Sequence, residues 1–364
     1  MQVTIVGLPA SGKTTVFNAL TGLSLETGGY SGARAAPNVG VVKVPDQRVD
    51  RLAELFHPRK TTHADVTYVD VAIPAGATRE GTVAPDVLAQ IRNADALLHV
   101  ARAFEAGGAE RPANPWRDVE ELDLEFTVAD LTVVEKRLEK LRTSGRHGSP
   151  TEREANAIEE GLLERIEPHL SDGHPLRSLP LDADDEKRLR GYRFLSQKPM
   201  LVVLDLDETQ LVGAAALESD WLALHVLPQT DVAALAGKLE SEIAQLSDDD
   251  ARLFMDDLGI EEASRGRVIR LTYDLLGLFS FFTAGEDECR AWTLHRGSTA
   301  VDAAGAIHSD LARGFIRAEV VTYDDLISCG SMAEARKHGL LRAEGKTYEV
   351  RDGDVIQVLF NVAR

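Results

Sequence analysis

Residues 7–14 read GLPASGKT, which matches the phosphate-binding loop pattern G-x-x-x-x-G-K-[ST] without a mismatch. The preceding residues 2–6 (QVTIV) have the character of a short buried strand, and residues 14–20 (TTVFNAL) that of the first turns of a helix. In this setting the backbone N–H groups of the loop surround phosphate oxygens, and the helix N-terminus adds partial positive charge. The stretch therefore predicts nucleotide binding by an α/β domain.

The phosphate loop also assigns roles to particular side chains. Lys13 is expected to reach the β- and γ-phosphates, and the Thr14 hydroxyl to ligate Mg²⁺. Asp70 ends a β-branched run, which suits a carboxylate that holds Mg²⁺ through water. We expect the rest of the loop to complete the nucleotide site with Pro9, Ala10, Ser11, Gly12 and Thr15.

Composition narrows the class of protein. With 364 residues the chain is expected to hold two or three domains, and 44% hydrophobic with 27% charged residues is typical of a globular protein. No apolar run approaches membrane-spanning length, and the phosphate loop begins too early to leave room for a cleaved signal peptide. The two cysteines form no disulfide framework, so we expect a cytoplasmic location and no membrane partner. A net charge of −19 argues against non-specific DNA binding.

Strand and helix candidates alternate over the first 110 residues, which predicts a mostly parallel sheet. The strand candidates are residues 2–6, 39–44, 66–72 and 96–102, and a helix is expected within 80–93. Strand character returns at residues 199–204, just before Asp205. The helical stretch between the two regions is therefore predicted to be an insertion within one domain.

That insertion shows heptad spacing. Leu124, Leu131 and Leu138 recur every seven residues, and Val134 and Leu141 fill the complementary positions of a coiled-coil seam. Residues 144–150 interrupt the pattern, and a second helical run follows. An antiparallel helical hairpin is predicted.

The tip of this hairpin is basic. Between positions 136 and 153 there are six basic and two acidic residues, although the whole chain is strongly acidic. Such a window is either a solvated face or a local contact for RNA phosphates. If it contacts RNA, the contact residues are expected to be Lys140, Arg142, Arg146 and His147.

The remaining sequence predicts more helix and then a small separate unit. Residues 231–262 have helical character. Beyond them, strands are expected at 289–295 and 316–321 with a helix at 303–313 between them. Residues 348–358 predict a β-hairpin centred on Asp352-Gly353. Short strands with one helix indicate an α+β module.

Over essentially its whole length the chain resembles the Obg-like ATPase (YchF) family, which belongs to the translation-factor class of GTPases. The stretches that carry the resemblance are GLPASGKTTVFNALTG (7–22), APNVGVVKVPDQRVDRLAEL (36–55), NADALLHVARAFE (93–105), ESEIAQL (240–246), FFTAGEDECRAWTL (281–294), IHSDLARGFIRAEVVTYDDL (307–326) and VRDGDVIQV (350–358).

The resemblance implies an α/β fold with a P-loop GTPase-like, mostly parallel sheet, an inserted antiparallel hairpin and a C-terminal β-grasp (TGS) domain. The expected boundaries are 1–117 with 196–276 for the nucleotide-binding domain, 118–195 for the hairpin and 277–364 for the TGS domain. It further implies ATP as the preferred nucleotide, Mg²⁺ as its metal, and association with ribosomes. The loops that would contact the base contain Asp205, Leu206 and Glu208, and Ala236, Gly237 and Lys238.

Three positions depart from the pattern of the family. The switch threonine falls on Arg34, the glycine of the D-x-x-G switch on Ile73, and the asparagine of the N-x-x-E loop on Asp205. The first two would sense the third phosphate, so we expect slow or impaired hydrolysis and name no catalytic residue. A nucleotide-binding factor that does not hydrolyse its ligand is the main alternative.

Two further alternatives remain open on the sequence. Ionised Asp205 and Glu208 only accept hydrogen bonds, which suits the amine of adenine, yet guanine also offers donors, so GTP stays open. In addition, residues 203–209 (VLDLDET) fit the nucleophile motif of haloacid-dehalogenase-type phosphatases. There Asp205 would attack phosphate and Asp207 would act as acid and base.

Overall fold

The structure, a computed structural model, describes residues 1–26, 37–71, 83–105, 111–144, 149–225, 227–258, 260 and 263–361. The chain divides into two compact units. The first comprises Met1–Val41 and Thr67–Leu271, and the second comprises Val42–Val66 and Thr272–Arg364. Four of the predicted positions lie outside the described residues: Arg34, Ile73, Arg146 and His147.

The described elements, in chain order, are β1 (Gln2–Val6), α1 (Lys13–Thr21), β2 (Asn38–Lys43), α2 (Gln47–Phe56), β3 (Lys60–Thr62), β4 (Asp65–Asp70), α3 (Pro85–Ile91), β5 (Ala96–Arg102), α4 (Pro115–Ser144), α5 (Pro150–Ser171), α6 (Ala183–Leu189), β6 (Met200–Asp205), α7 (Ala214–Leu224), β7 (Thr230–Leu235), α8 (Gly237–Ile243), α9 (Asp248–Leu258), α10 (Ser264–Leu275), β8 (Leu278–Thr283), β9 (Glu288–His295), α11 (Ala300–Ile307), α12 (Ser309–Arg313), β10 (Phe315–Thr322), α13 (Tyr323–Cys329), α14 (Met332–Lys337), β11 (Arg342–Glu344) and β12 (Asp354–Phe360).

The sheet of the first unit has the strand order β2-β4-β1-β5-β6-β7. Strand β1 pairs in parallel with β4 and β5, and β5, β6 and β7 continue the parallel arrangement. The predicted α/β fold with a mostly parallel sheet is confirmed. Because parallel strands end at the same edge of the sheet, the C-terminal ends of β1, β4 and β6 lie together there.

Helix α4 packs in two different places. Its first half covers the sheet through Val119, Leu122 and Phe126. Its second half contributes Val134, Leu138 and Leu141 to a separate apolar cluster with α5. The predicted seam therefore holds only for the second half of the helix. Leu124 was assigned to the seam, but its side chain is 52% exposed because the sheet-facing stripe runs on another side of the helix there.

The prediction of helix throughout 231–262 was wrong at its beginning. Residues 230–235 form strand β7, which pairs with β6 from Met200 to Asp205. The inner residues of β7 are buried on both faces, and a fully buried strand gives a continuous apolar run that periodicity alone does not separate from a helix. Helices α8 and α9 follow, as the rest of the prediction requires.

The second unit contains a mixed sheet with the order β11-β10-β12-β8-β9-β3, flanked by helices. Its last strand, β3, comes from the N-terminal part of the chain and pairs in parallel with β9. Arg48 of α2 donates two hydrogen bonds to Asp352, at 2.9 and 3.0 Å. Residues 42–66 therefore belong with the C-terminal α+β unit, whereas the sequence-based boundaries kept 1–117 in one piece.

Two local predictions in this unit were wrong. Residues 348–350 do not pair with β12 as a hairpin, because β12 lies between β10 and β8, and Glu349 forms an isolated bridge with Thr299. The helix predicted over 303–313 is divided into α11 and α12 at His308, whose backbone is extended. The Nδ1 atom of His308 accepts a hydrogen bond from the Asp310 amide at 3.1 Å and so starts the second helix.

Candidate functional site

The phosphate loop spans the turn between β1 and α1, as predicted. Gly12 lies at the start of α1 in the left-handed region (φ 94°), where a larger residue would be strained. Among the residues that the structure describes, no side chain caps α1, and the first turn of this helix has no acidic residue. The amides at this helix N-terminus are therefore available to a phosphate group rather than satisfied by the protein's own carboxylates.

The side chain of Lys13 folds back onto the phosphate loop. Its ammonium group donates hydrogen bonds to the carbonyl oxygens of Gly7, at 3.0 Å, and Leu8, at 2.8 Å. Burial lowers the pKa of Lys13 to about 8, and the negative charge of Asp70 opposes this shift. An anion bound beside the ammonium would favour its charged form.

The two predicted metal ligands are in contact. The Thr14 hydroxyl donates a hydrogen bond to Asp70 Oδ2 at 3.0 Å, and Asp70 is only 4% exposed at the end of β4. The amide of Asn38 lies 3.5 Å from the same oxygen. A hydroxyl and a carboxylate are hard oxygen donors, and Mg²⁺ typically takes one or two such groups together with phosphate oxygens and water. The residues present therefore fit this ion.

Thr14 and Asp70 are the two protein side chains that we expect to coordinate such a metal ion. Within the described parts of the chain, no group of three or more histidine, cysteine, aspartate or glutamate residues could hold a metal ion by itself. Asn38 was not predicted as part of this site. It lies at the first position of β2, and the sequence holds no signal that brings β2 next to β4.

The two loops predicted to contact the base lie side by side in the structure, and we call this part of the candidate site the base side. Asp205 ends β6, and its Oδ1 atom accepts a hydrogen bond from the Gly237 amide at 2.9 Å. The Leu206 amide donates to the Leu235 carbonyl at 2.9 Å, so the loops after β6 and β7 run side by side. Glu208 and Lys238 are exposed, whereas Ala236 is buried.

Asp205 is not placed as a free base-reading group. Its side chain is 3% exposed, and burial raises the pKa of its carboxyl to about 7, opposed by the hydrogen bond from the Gly237 amide. A Cβ atom at Gly12 would overlap Asp205 Oδ2, so the carboxyl also lies directly against the phosphate loop. The sequence did not predict this contact with Gly12, since the two residues are far apart in the chain.

The same geometry gives no support to the phosphatase alternative. A nucleophilic aspartate needs open space for a phosphorus atom, yet Asp205 is enclosed by Gly12 and Gly237. The Asp207 carboxylate accepts hydrogen bonds from the amide of Thr209 at 3.1 Å and from its hydroxyl at 2.8 Å. It therefore caps the short helical turn that follows.

The described part of the predicted RNA contact is exposed but not uniformly positive. Arg142 pairs with Glu164 at 3.0 Å and with Glu160 at 3.9 Å. Arg137 pairs with Glu159 at 2.6 Å. Acidic residues of α5 thus offset part of the charge that was counted along α4. Whether Lys140 and Arg142 contact RNA remains a prediction.

Comparisons with known proteins identify families that match two parts of the chain. Residues 2–137 match the family of 50S ribosome-binding GTPases. Residues 278–361 match the C-terminal family of YchF-type GTPases, which is described as a protein of unknown function. No helix in the described ranges is both long and apolar enough to cross a membrane.

Full-length relatives align from end to end. The ribosome-binding ATPase YchF of Bacillus subtilis is 37% identical, and that of Pasteurella multocida 39%, each over 98% of both chains. The structure of the Schizosaccharomyces pombe YchF GTPase superposes with a TM-score of 0.84 and 26% identity, covering 99% of this chain and 97% of that one. Identity at this level along both whole chains shows that the chain belongs to the YchF family of P-loop NTPases.

Proposed function

We propose that this protein binds ATP together with Mg²⁺, hydrolyses it slowly, and associates with ribosomes in the cytoplasm. The names of its relatives, ribosome-binding ATPases, support the nucleotide and the partner. The observation that carries the chemistry is the contact between Thr14 and Asp70 beside Lys13. A cation, a hydroxyl and a carboxylate meet at the N-terminus of α1, where a polyphosphate would bind.

Each of these groups has a defined task in the proposal. Lys13 would neutralise phosphate oxygens, and the amides at the start of α1 would orient them. Thr14 and Asp70 would hold Mg²⁺, which supplies positive charge to the oxygens of the β- and γ-phosphates when bound. No described residue is assigned as the group that positions the attacking water, in line with slow hydrolysis.

The nucleotide itself is tested by titration. Labelled ATP, GTP, ADP and GDP would be titrated into the protein with and without Mg²⁺, and the dissociation constants compared. We expect ATP to bind more tightly than GTP. If GTP binds more tightly than ATP, the ligand is GTP rather than ATP, and the rest of the proposal still holds. No binding of any of the four would refute it.

A second candidate function, a nucleotide-binding factor without turnover, is favoured by Arg34 and Ile73 at the two positions that would sense the third phosphate. A ligand shifts a conformational equilibrium only through different affinities for its two states. In this case ATP and ADP should bind within about tenfold of each other. Phosphate release above the rate of a Lys13→Ala control would exclude this candidate.

For the ribosome, we propose that the end of α4 and the C-terminal unit, which we take to be a TGS domain, bind the partner. Replacing Arg142 and Arg146 by alanine should reduce co-sedimentation with ribosomes and flatten its salt dependence, by about one slope unit for each phosphate group that the variant no longer neutralises. The matched control replaces Arg188 and Arg190, two exposed arginines on or next to α6. Equally weakened binding in both variants would mean that overall charge, rather than this tip, decides binding.

A further inference from the structure

We propose that Asp205 is a positioning residue that acts as a neutral carboxylic acid, joining the phosphate loop to the loop at 236–238, so that nucleotide binding is linked to one proton. This inference rests on the proposed nucleotide-binding function. It assigns to Asp205 a task different from reading the base. The two loops that Asp205 joins are the ones expected to hold the phosphates and the base.

The carboxyl group is enclosed between two glycines on different segments. Its Oδ1 atom accepts the hydrogen bond from the Gly237 amide, and a Cβ atom at Gly237 would lie 2.8 Å from that oxygen. On the other side, a Cβ at Gly12 would overlap Oδ2. Both segments therefore approach Asp205 closely because they carry glycine, and this side chain fills the space between them.

Little around Asp205 favours its ionised form. Lys13 is engaged by the carbonyls of Gly7 and Leu8, and Arg102 of the neighbouring strand β5 donates to the Arg111 carbonyl at 2.9 Å. On α8, Lys238 is exposed, and Glu240 accepts a hydrogen bond from the Ser264 amide at 2.6 Å. The described residues form no ion pair with Asp205. Burial is the leading cause that raises its pKa to about 7.

A bound polyphosphate would add negative charge next to Gly12. Two negative charges brought close together in a buried site disfavour the ionised carboxyl further, so binding should be accompanied by proton uptake at neutral pH and above. The sign follows from linkage: affinity is greatest below about pH 7, where Asp205 is already neutral. The contribution of Asp205 to the affinity should fall as the pH rises, by at most about tenfold per pH unit. The titration of Lys13, whose pKa is about 8, affects the wild type and Asp205→Asn alike.

The experiment compares Asp205→Asn with the wild type. Asparagine keeps the shape and the acceptor for the Gly237 amide but does not ionise. Dissociation constants for ADP with Mg²⁺ would be measured by calorimetry from pH 6 to 9 in buffers with different ionisation enthalpies. The wild type should bind about tenfold more weakly than Asp205→Asn at pH 8.5 and similarly at pH 6.5, and only the wild type should take up this additional proton.

Two further variants distinguish the positioning role of Asp205 from the effect of removing any carboxylate. Asp220→Asn, which removes an exposed carboxylate on α7, should follow the wild type at every pH. Asp205→Ala, which has no acceptor, should bind weakly at every pH, and Asn at this position should restore the binding. A constant ratio between the wild type and Asp205→Asn across the pH range would overturn the proposal.

A measurement without nucleotide separates this inference from the proposed function. Because the pKa of Asp205 is raised in the folded protein, ionisation costs stability as the pH rises from about 4 to about 7. The urea midpoint of Asp205→Asn should therefore rise relative to the wild type over this range. If this rise is seen but neither protein binds nucleotide, the proposed function fails and the linkage fails with it. If nucleotide binds and the rise is absent, only the neutral form of Asp205 is refuted.

Discussion

The phosphate side and the base side of the candidate site are built in different ways. On the phosphate side, the Thr14 hydroxyl contacts Asp70 and the Lys13 ammonium contacts the carbonyl of Gly7, through groups that a metal ion or a phosphate would also use. On the base side, the Asp205 carboxyl interacts with the protein itself. It accepts a hydrogen bond from the Gly237 amide and fills the space next to Gly12. We infer that the phosphates supply the affinity, whereas the base side mainly shapes the loops. Substitutions on the two sides should therefore differ in their effects.

The largest effect is expected at Lys13. Lys13→Ala should weaken ATP and ADP binding by at least about tenfold, because losing a charge-assisted hydrogen bond costs about 1.5–3 kcal/mol. Calorimetry at constant Mg²⁺ provides the measurement. Affinity within about threefold of the wild type would show that the loop is not the phosphate site. Thermal unfolding of the variant checks that the fold is intact.

The contact between Thr14 and Asp70 should account for the effect of the metal. Thr14→Val should remove most of the gain in nucleotide affinity that Mg²⁺ provides, a loss of about tenfold, because valine keeps the volume but offers no oxygen. Thr14→Ser keeps the hydroxyl and is the matched control. If the two variants respond to Mg²⁺ alike, Thr14 is no part of the metal site, and the phosphate side is less complete than its geometry indicates.

The smallest effect is expected on the base side, at Lys238. Its side chain is exposed at the start of α8, so only its aliphatic part would pack over a base. Lys238→Ala should weaken ATP binding by no more than about threefold, the range typical of an exposed side chain. The control is Lys187→Ala, on an exposed position of α6. A tenfold loss specific to Lys238 would mean that the base side contributes affinity of its own, contrary to the division between the two sides.

The sequence predicts the two sides unequally because of how their residues are spaced. Lys13 and Thr14 belong to one contiguous motif, so their chemistry is readable without a fold. Asp70 was recognised because it ends a β-branched run and follows the phosphate loop in the chain. Asn38 was missed, and the role of Asp205 was predicted only by analogy with the family. Both depend on which strands are neighbours and on how closely two glycines allow the loops to approach.

The sequence alone determined the phosphate loop, the parallel α/β sheet and the helical insertion, because these depend on local patterns such as the spacing of glycines and the alternation of strands and helices. Tertiary structure decided that residues 42–66 join the C-terminal unit and that 230–235 form a strand. It also decided that Asp205 is buried against Gly12. The physical reason is that strand pairing and burial are set by contacts between distant parts of the chain, which the residues on either side of a position do not specify.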